Sequence, residues 1–126
     1  MLSAFPVYAT IGVKDYDKAK EFYGGTLGLK IAEGGKEDPD GTFYQCGSSQ
    51  IFVYQSQYGG TNQATSATWL VKDVEAEVKD LKGKGVTFEH YDFPGVTREG
   101  DIHIMGDIKA AWFKDPDGNI LNISNM

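Results

Sequence analysis

One cysteine, one arginine and two histidines are all that this 126-residue chain offers of several residue types that commonly bind metals, anions or nucleic acid. A single Cys46 excludes an intrachain disulfide framework and a cysteine-rich zinc site. Its place in a strand-like stretch suits a small packing residue. Arg98 stands alone among the lysines, and the formal net charge is −6. That balance argues against a nucleic-acid partner, which would call for a basic stripe. No apolar run is long enough to span a membrane. The stretch Met1–Pro6 has neither the basic start nor the apolar core of a signal peptide, so the cytoplasm is the expected location. What remains is ordinary globular composition, 40% hydrophobic and 24% charged, which supports a folded core over disorder.

The chain reads as one pattern used twice. Tyr8–Val13 alternates like a half-buried strand, with Ala9, Ile11 and Val13 on one side and Tyr8, Thr10 and Gly12 on the other. Asp15 then caps a helix whose Tyr16, Ala19, Phe22 and Tyr23 recur near helical spacing, and Gly24-Gly25 and Gly28 are expected to end it. Leu29–Ala32 reads as a short strand, Glu33–Gly41 as a polar loop, and Thr42–Ser56 as a hairpin. The polar stretch Gln57–Thr65 has linker composition. After it, Ala67-Thr68-Trp69-Leu70-Val71-Lys72-Asp73 matches Ala9–Asp15 at an offset of 58. Asp73 caps a second helix, acidic early, lysine-rich late, with Val74, Val78 and Leu81 as its buried stripe. Val86–Tyr91 reads as a strand and His90–Asp107 as an extended connection. Lys109–Ser124 is a hairpin turned at Asp-Pro-Asp-Gly, where proline presets the corner and Asp and Gly accept the reversed backbone.

The expected fold is therefore α+β: two βαβββ modules forming a curled mixed sheet, with the helices outside and a shared concave space within. Module one covers residues 6–57, the linker 58–65, and module two 66–126. The hairpins Tyr44–Ser56 and Trp112–Ser124 have equal length, which pairs Tyr54 with Asn122.

This arrangement, with Val13-Lys14-Asp15, Phe22-Tyr23, Leu27-Gly28-Leu29, Val71-Lys72-Asp73 and above all Phe113–Asn119, resembles the vicinal oxygen chelate superfamily of glyoxalase I, bleomycin-resistance proteins and extradiol dioxygenases. The resemblance implies a divalent metal held by His, Gln or Glu at four positions, which here are Tyr8, Tyr54, Ser66 and Asn122. Phenol, hydroxyl and amide groups make a poor set for zinc, nickel, manganese or iron. The resemblance thus leads to the expectation of no metal and no cofactor. His90 and His103 offer no recognised ligand spacing, and Glu89, His90 and His103 are candidate bases by residue type alone. The resemblance also implies a homodimer.

Strand alternation proposes what lines the space instead. The ligand-binding set is Tyr8, Thr10, Tyr44, Phe52, Tyr54, Ser66, Thr68, His103, Trp112 and Asn122, with Ile120 facing in beside them and Phe113, Leu121 and Ile123 facing the helices. Such a lining is aromatic with hydroxyl and amide tips and carries no fixed charge, which suits a flat, partly polar molecule. Two readings stand side by side: these rings hold an aromatic ligand, antibiotics included, or they fill the mouth of the sheet. Tyr58, Tyr91, Phe93 and His103 form either a rim over the space or a subunit contact. The function expected is metal-independent small-molecule binding by sequestration. The alternative is a lyase, isomerase or dioxygenase of the same superfamily with a non-standard or metal-free site.

Overall fold

A computed structural model describes residues 1–33 and 40–126. The expected loop Glu33–Gly41 lies largely outside the described residues. The expected α+β fold is carried by two curled mixed sheets. The first runs β1-β4-β3-β2, from Ala9–Val13 (β1), Lys30–Ile31 (β2), Gly41–Cys46 (β3) and Ser49–Gln55 (β4). The second runs β5-β10-β9-β8-β7, with β6 also paired to β9. Its strands are Thr65–Leu70 (β5), Phe88–Glu89 (β6), Thr97–Glu99 (β7), Ile102–Met105 (β8), Ile108–Lys114 (β9) and Ile120–Ser124 (β10). In each sheet the first strand joins the last strand of its half in parallel, β1 with β4 and β5 with β10.

Both helices start where an aspartate meets free backbone amides. Asp15 accepts from Lys18 N at 3.1 Å ahead of α1 (Tyr16–Lys20), and Asp73 from Ala76 N at 3.1 Å ahead of α2 (Val74–Gly83). Gly24 and Gly25 do not end the first helix as expected. The chain widens after Lys20 into a π-helical segment, Glu21–Thr26, that contains both glycines; Leu27 N donates to Phe22 O at 2.8 Å, and the left-handed residue is Gly28 at φ 69°. One apolar cluster joins the two halves: Ile11, Val13, Tyr23, Tyr44 and Val53 from the first meet Val74, Leu81, Phe113, Leu121 and Ile123 from the second. The helices cover one face of each sheet, and the opposite face is the inner face below.

The Asp-Pro-Asp-Gly turn fastens these parts together. Tyr23 Oη donates to Asp115 Oδ2 at 2.8 Å, Lys14 N donates to Asp117 Oδ2 at 3.0 Å, and Asn119 Nδ2 donates to Gly12 O at 2.8 Å. Burial, and then the Asp115 carboxylate, hold the Tyr23 phenol well above its ordinary range. Gly60 of the linker lies so close that a Cβ there would sit 1.9 Å from Asp117 O. The residues that mark the fold in sequence are thus the ones that clamp β1, the first helix and the linker onto the second hairpin.

Candidate functional site

Residues directly opposite one another on paired strands share a face, so the register decides which side chains line each inner face. In the first sheet Thr10, Phe52 and Phe43 form one row, and Gly12, Tyr54 and Gly41 the next. Tyr44 pairs with Ile51 and is buried on the helix side, tilted against Tyr23 at 6.2 Å. The expectation that Tyr44 faces inward is corrected: its neighbour Phe43 takes that place. Tyr8 precedes β1, is 47% exposed, and meets Phe43 edge-on at 5.3 Å. Phe43, Phe52 and Tyr54 continue the ladder, at 4.5 and 5.9 Å. Glycines make room for it. A Cβ on Gly41 would lie 2.4 Å from the Phe52 ring.

The second inner face is built differently. Thr68, Asn122, Trp112 and Glu89 share one row, and His103 with Ala110 the next. The mirror relation read from equal hairpin lengths is also corrected. Thr10 pairs with Phe52 whereas Thr68 pairs with Asn122, so Phe52, not Tyr54, occupies the place of Asn122. The cause is the turn: two residues separate the paired Cys46 and Ser49, five the paired Lys114 and Ile120. A bulge between Ile120 and Leu121 skips Ser66 and brings Thr65 opposite Ile120. Thr65 accepts a hydrogen bond from Trp112 Nε1 at 3.1 Å, a role that no local sequence signal marks. Asn122 is buried, and its Nδ2 donates to Ala111 O at 3.0 Å.

His103 lies on β8, where the sequence suggested irregular connection; β7 and β8 form a hairpin inside the long segment. It is fully buried, 4.8 Å from the Trp112 ring and perpendicular to it, with Tyr91 and Phe93 alongside. Tyr91, Phe93 and Trp112 wall a hollow of ≈240 Å³, completed by Gln63, Ala64, Thr65 and Ile120. Of the expected ligand-binding set the structure gathers Trp112, His103, Thr68, Asn122 and Ser66 on the second sheet. Thr10, Phe52 and Tyr54 lie together on the first. A larger hollow of ≈450 Å³ occupies the seam by β1, β5 and the first hairpin turn, with Cys46 in its wall. Burial pushes the Cys46 thiol up, opposed in part by a hydrogen bond from Trp69, so this is no activated nucleophile. Two of the seam's apolar residues, Val7 and Leu70, are 88% and 72% exposed.

The side chains at the four family metal positions do not fit a divalent metal. Tyr8 and Tyr54 belong to the aromatic ladder, as does Phe52, which the register puts in the place of Asn122; Asn122 is engaged with the sheet backbone, and Ser66 is skipped at the bulge. Among the described residues no three His, Cys, Asp or Glu side chains gather to hold an ion. No described helix is long and apolar enough to cross a membrane.

Known structures share this fold. SMU.1112c is 24% identical, with 95% of this chain and 98% of that one covered and a TM-score of 0.68. A glyoxalase family protein from Enterococcus faecalis is 19% identical over 98% and 99%, with a TM-score of 0.71. The genomically encoded fosfomycin resistance protein FosX from Listeria monocytogenes is 13% identical over 95% and 91%, with a TM-score of 0.69. Among proteins of curated function none matches. The family model for the glyoxalase/bleomycin resistance protein/dioxygenase superfamily matches residues 6–123, and the chain belongs to that superfamily.

Proposed function

We propose that this protein binds a flat aromatic small molecule, without a metal, in the hollow on the inner face of the second sheet. The observation that carries this reading is the lining: three aromatic rings, Tyr91, Phe93 and Trp112, around a space of ≈240 Å³ with no charged residue in its wall. Stacking supplies most of the affinity, while Thr65 holds the indole in place and Gln63 offers an amide at the mouth. The biological effect that fits is sequestration, in which a tight complex lowers the free concentration of a compound, an antibiotic for example. Resistance to fosfomycin is the named role of one neighbour in fold, but that compound is an anionic phosphonate and would meet no cation in this lining. An aromatic natural product suits it better. A homodimer and a cytoplasmic location complete the proposal.

The test is a thermal-shift screen of aromatic natural products, since any ligand of the native state raises Tm. Hits are followed by quenching of tryptophan emission. Trp112→Ala is expected to weaken binding at least tenfold, roughly the effect of losing one aromatic anchor, with the fold retained by circular dichroism. Unchanged affinity would place the site elsewhere. Elemental analysis of protein purified without added metal is the second check: one tightly held divalent ion per chain would sink the metal-free reading.

A further inference from the structure

His103 is fully buried, and its hydrogen bonding is half complete. Tyr91 N donates to His103 Nε2 at 2.9 Å. A backbone N–H can only donate, so Nε2 is bare and the ring proton sits on Nδ1. That Nδ1 is buried with no partner, and so is the hydroxyl of Tyr91. Buried polar groups are nearly always paired, and two orphans on neighbouring rings, 6.1 Å apart between centres, need a reason. Tyr91 lines the proposed ligand hollow, and His103 does not line it but packs edge-on against Trp112, which does, at 4.8 Å between ring centres. The side chain over them is Phe93, 44% exposed and in contact with Tyr91, His103 and Trp112. It belongs to the connection between β6 and β7, outside either strand, where a ring can turn without disturbing a ladder.

We infer that His103 Nδ1–H receives an uncharged acceptor, such as a carbonyl oxygen, of a planar ligand, with the Tyr91 hydroxyl as its second polar contact once Phe93 turns aside. This rests on the hollow being the ligand site. It sets the ligand class as neutral acceptor-bearing ring compounds in preference to carboxylates, which would meet no cation in the lining of the hollow. Glu89 shares the inner face in the row of Trp112, and the nearby Lys114 is already paired with it at 3.1 Å.

The experiment compares three bicyclic probes of similar size: coumarin, naphthalene and 2-naphthoate, read by quenching of Trp112. Coumarin is expected to bind roughly tenfold more tightly than naphthalene, the effect of one satisfied buried donor, and 2-naphthoate more weakly than coumarin. Whatever it does to the affinity for naphthalene itself, His103→Leu is expected to erase the preference for coumarin over naphthalene. His103→Gln, whose amide can accept from Tyr91 N and donate at its other end, retains part of it. Long-range ¹H–¹⁵N spectra of the wild-type imidazole are expected to show the Nδ1-protonated tautomer, with the Nδ1 resonance moved by coumarin and not by naphthalene. These spectra decide the matter if His103→Leu does not fold. Binding of all three probes with no preference, or an Nδ1 resonance held by internal water and unmoved while coumarin quenches Trp112, overturns this inference and leaves the hollow as a site. If no probe quenches Trp112 at all, the reading of the hollow falls and the inference falls with it.

Discussion

The two sheets use their inner faces in opposite ways. The first covers its own with Tyr8, Phe43, Phe52 and Tyr54, ring against ring, and Gly41 provides the bed on which Phe52 lies. The second gathers Tyr91, Phe93 and Trp112 around a buried histidine and keeps an open hollow beside them. The hairpin turns differ in the same sense. Gly47 turns into open space, whereas Asp115 to Asn119 are tied to β1, the first helix and the linker. Duplicating a fold therefore does not duplicate its use. One half supplies packing for itself, and the other holds both the structural clamp and the candidate site.

The largest effect is expected where that asymmetry is greatest. Asp115→Ala removes the acceptor for Tyr23 Oη, Asn119 Nδ2 and the backbone amides of Asp117 and Asn119. With Asp115 only 4% exposed, the orphaned donors cost about 3 kcal/mol or more. Gly47→Ala, in the other turn, meets no neighbour and pays only for its φ of 56°, about 1 kcal/mol. Urea unfolding of the two variants measures the gap. Equal losses would mean that the second turn is no clamp.

The next test separates packing from binding. Gly41→Ala drives a methyl into the Phe52 ring and is expected to destabilise by about 1–3 kcal/mol through overpacking. Affinity for a ligand of the second-sheet hollow stays within twofold of wild type by titration. A parallel loss of binding would show that the two inner faces form a single site.

These contrasts were only partly legible in the sequence. Alternation and the two capping aspartates were enough for the strand–helix–strand order, because period and capping are local properties. Which of Phe43 and Tyr44 turns inward was not legible. That choice depends on pairing with Ile51 and Phe52 across the turn, and a one-residue slip exchanges the two faces. The bulge beside Ser66 is likewise a property of the pairing, so Thr65 gave no sign of supporting Trp112. His103 read as a loop residue because Thr97–Glu99 and Ile102–Met105 are too short and too polar to announce a hairpin. The aromatic character of both faces was legible from strand alternation; that one of them is filled and the other hollow required the register.

The smallest expected effect lies at the edge of the second half. Asp101, in the turn between β7 and β8, accepts from Lys82 Nζ at 2.9 Å and pairs with His90 Nε2 at 2.7 Å, tying the end of α2 to the strand that carries His103. The Lys82 ammonium first, and the His90 ring second, hold its carboxyl below the ordinary value of 3.8. A depressed carboxyl stabilises the fold above its unfolded value, and that contribution disappears as pH falls from there through the lower folded value. Because the pair is a surface one, Asp101→Asn is expected to lower Tm by about 2 °C at neutral pH. The difference between variant and wild type then closes as the solution is acidified below pH 3.8. Salt shrinks it too, since exposed charges are screened. A difference that persists in acid would make the link a matter of packing rather than charge, and the second sheet would then owe its hollow to shape alone.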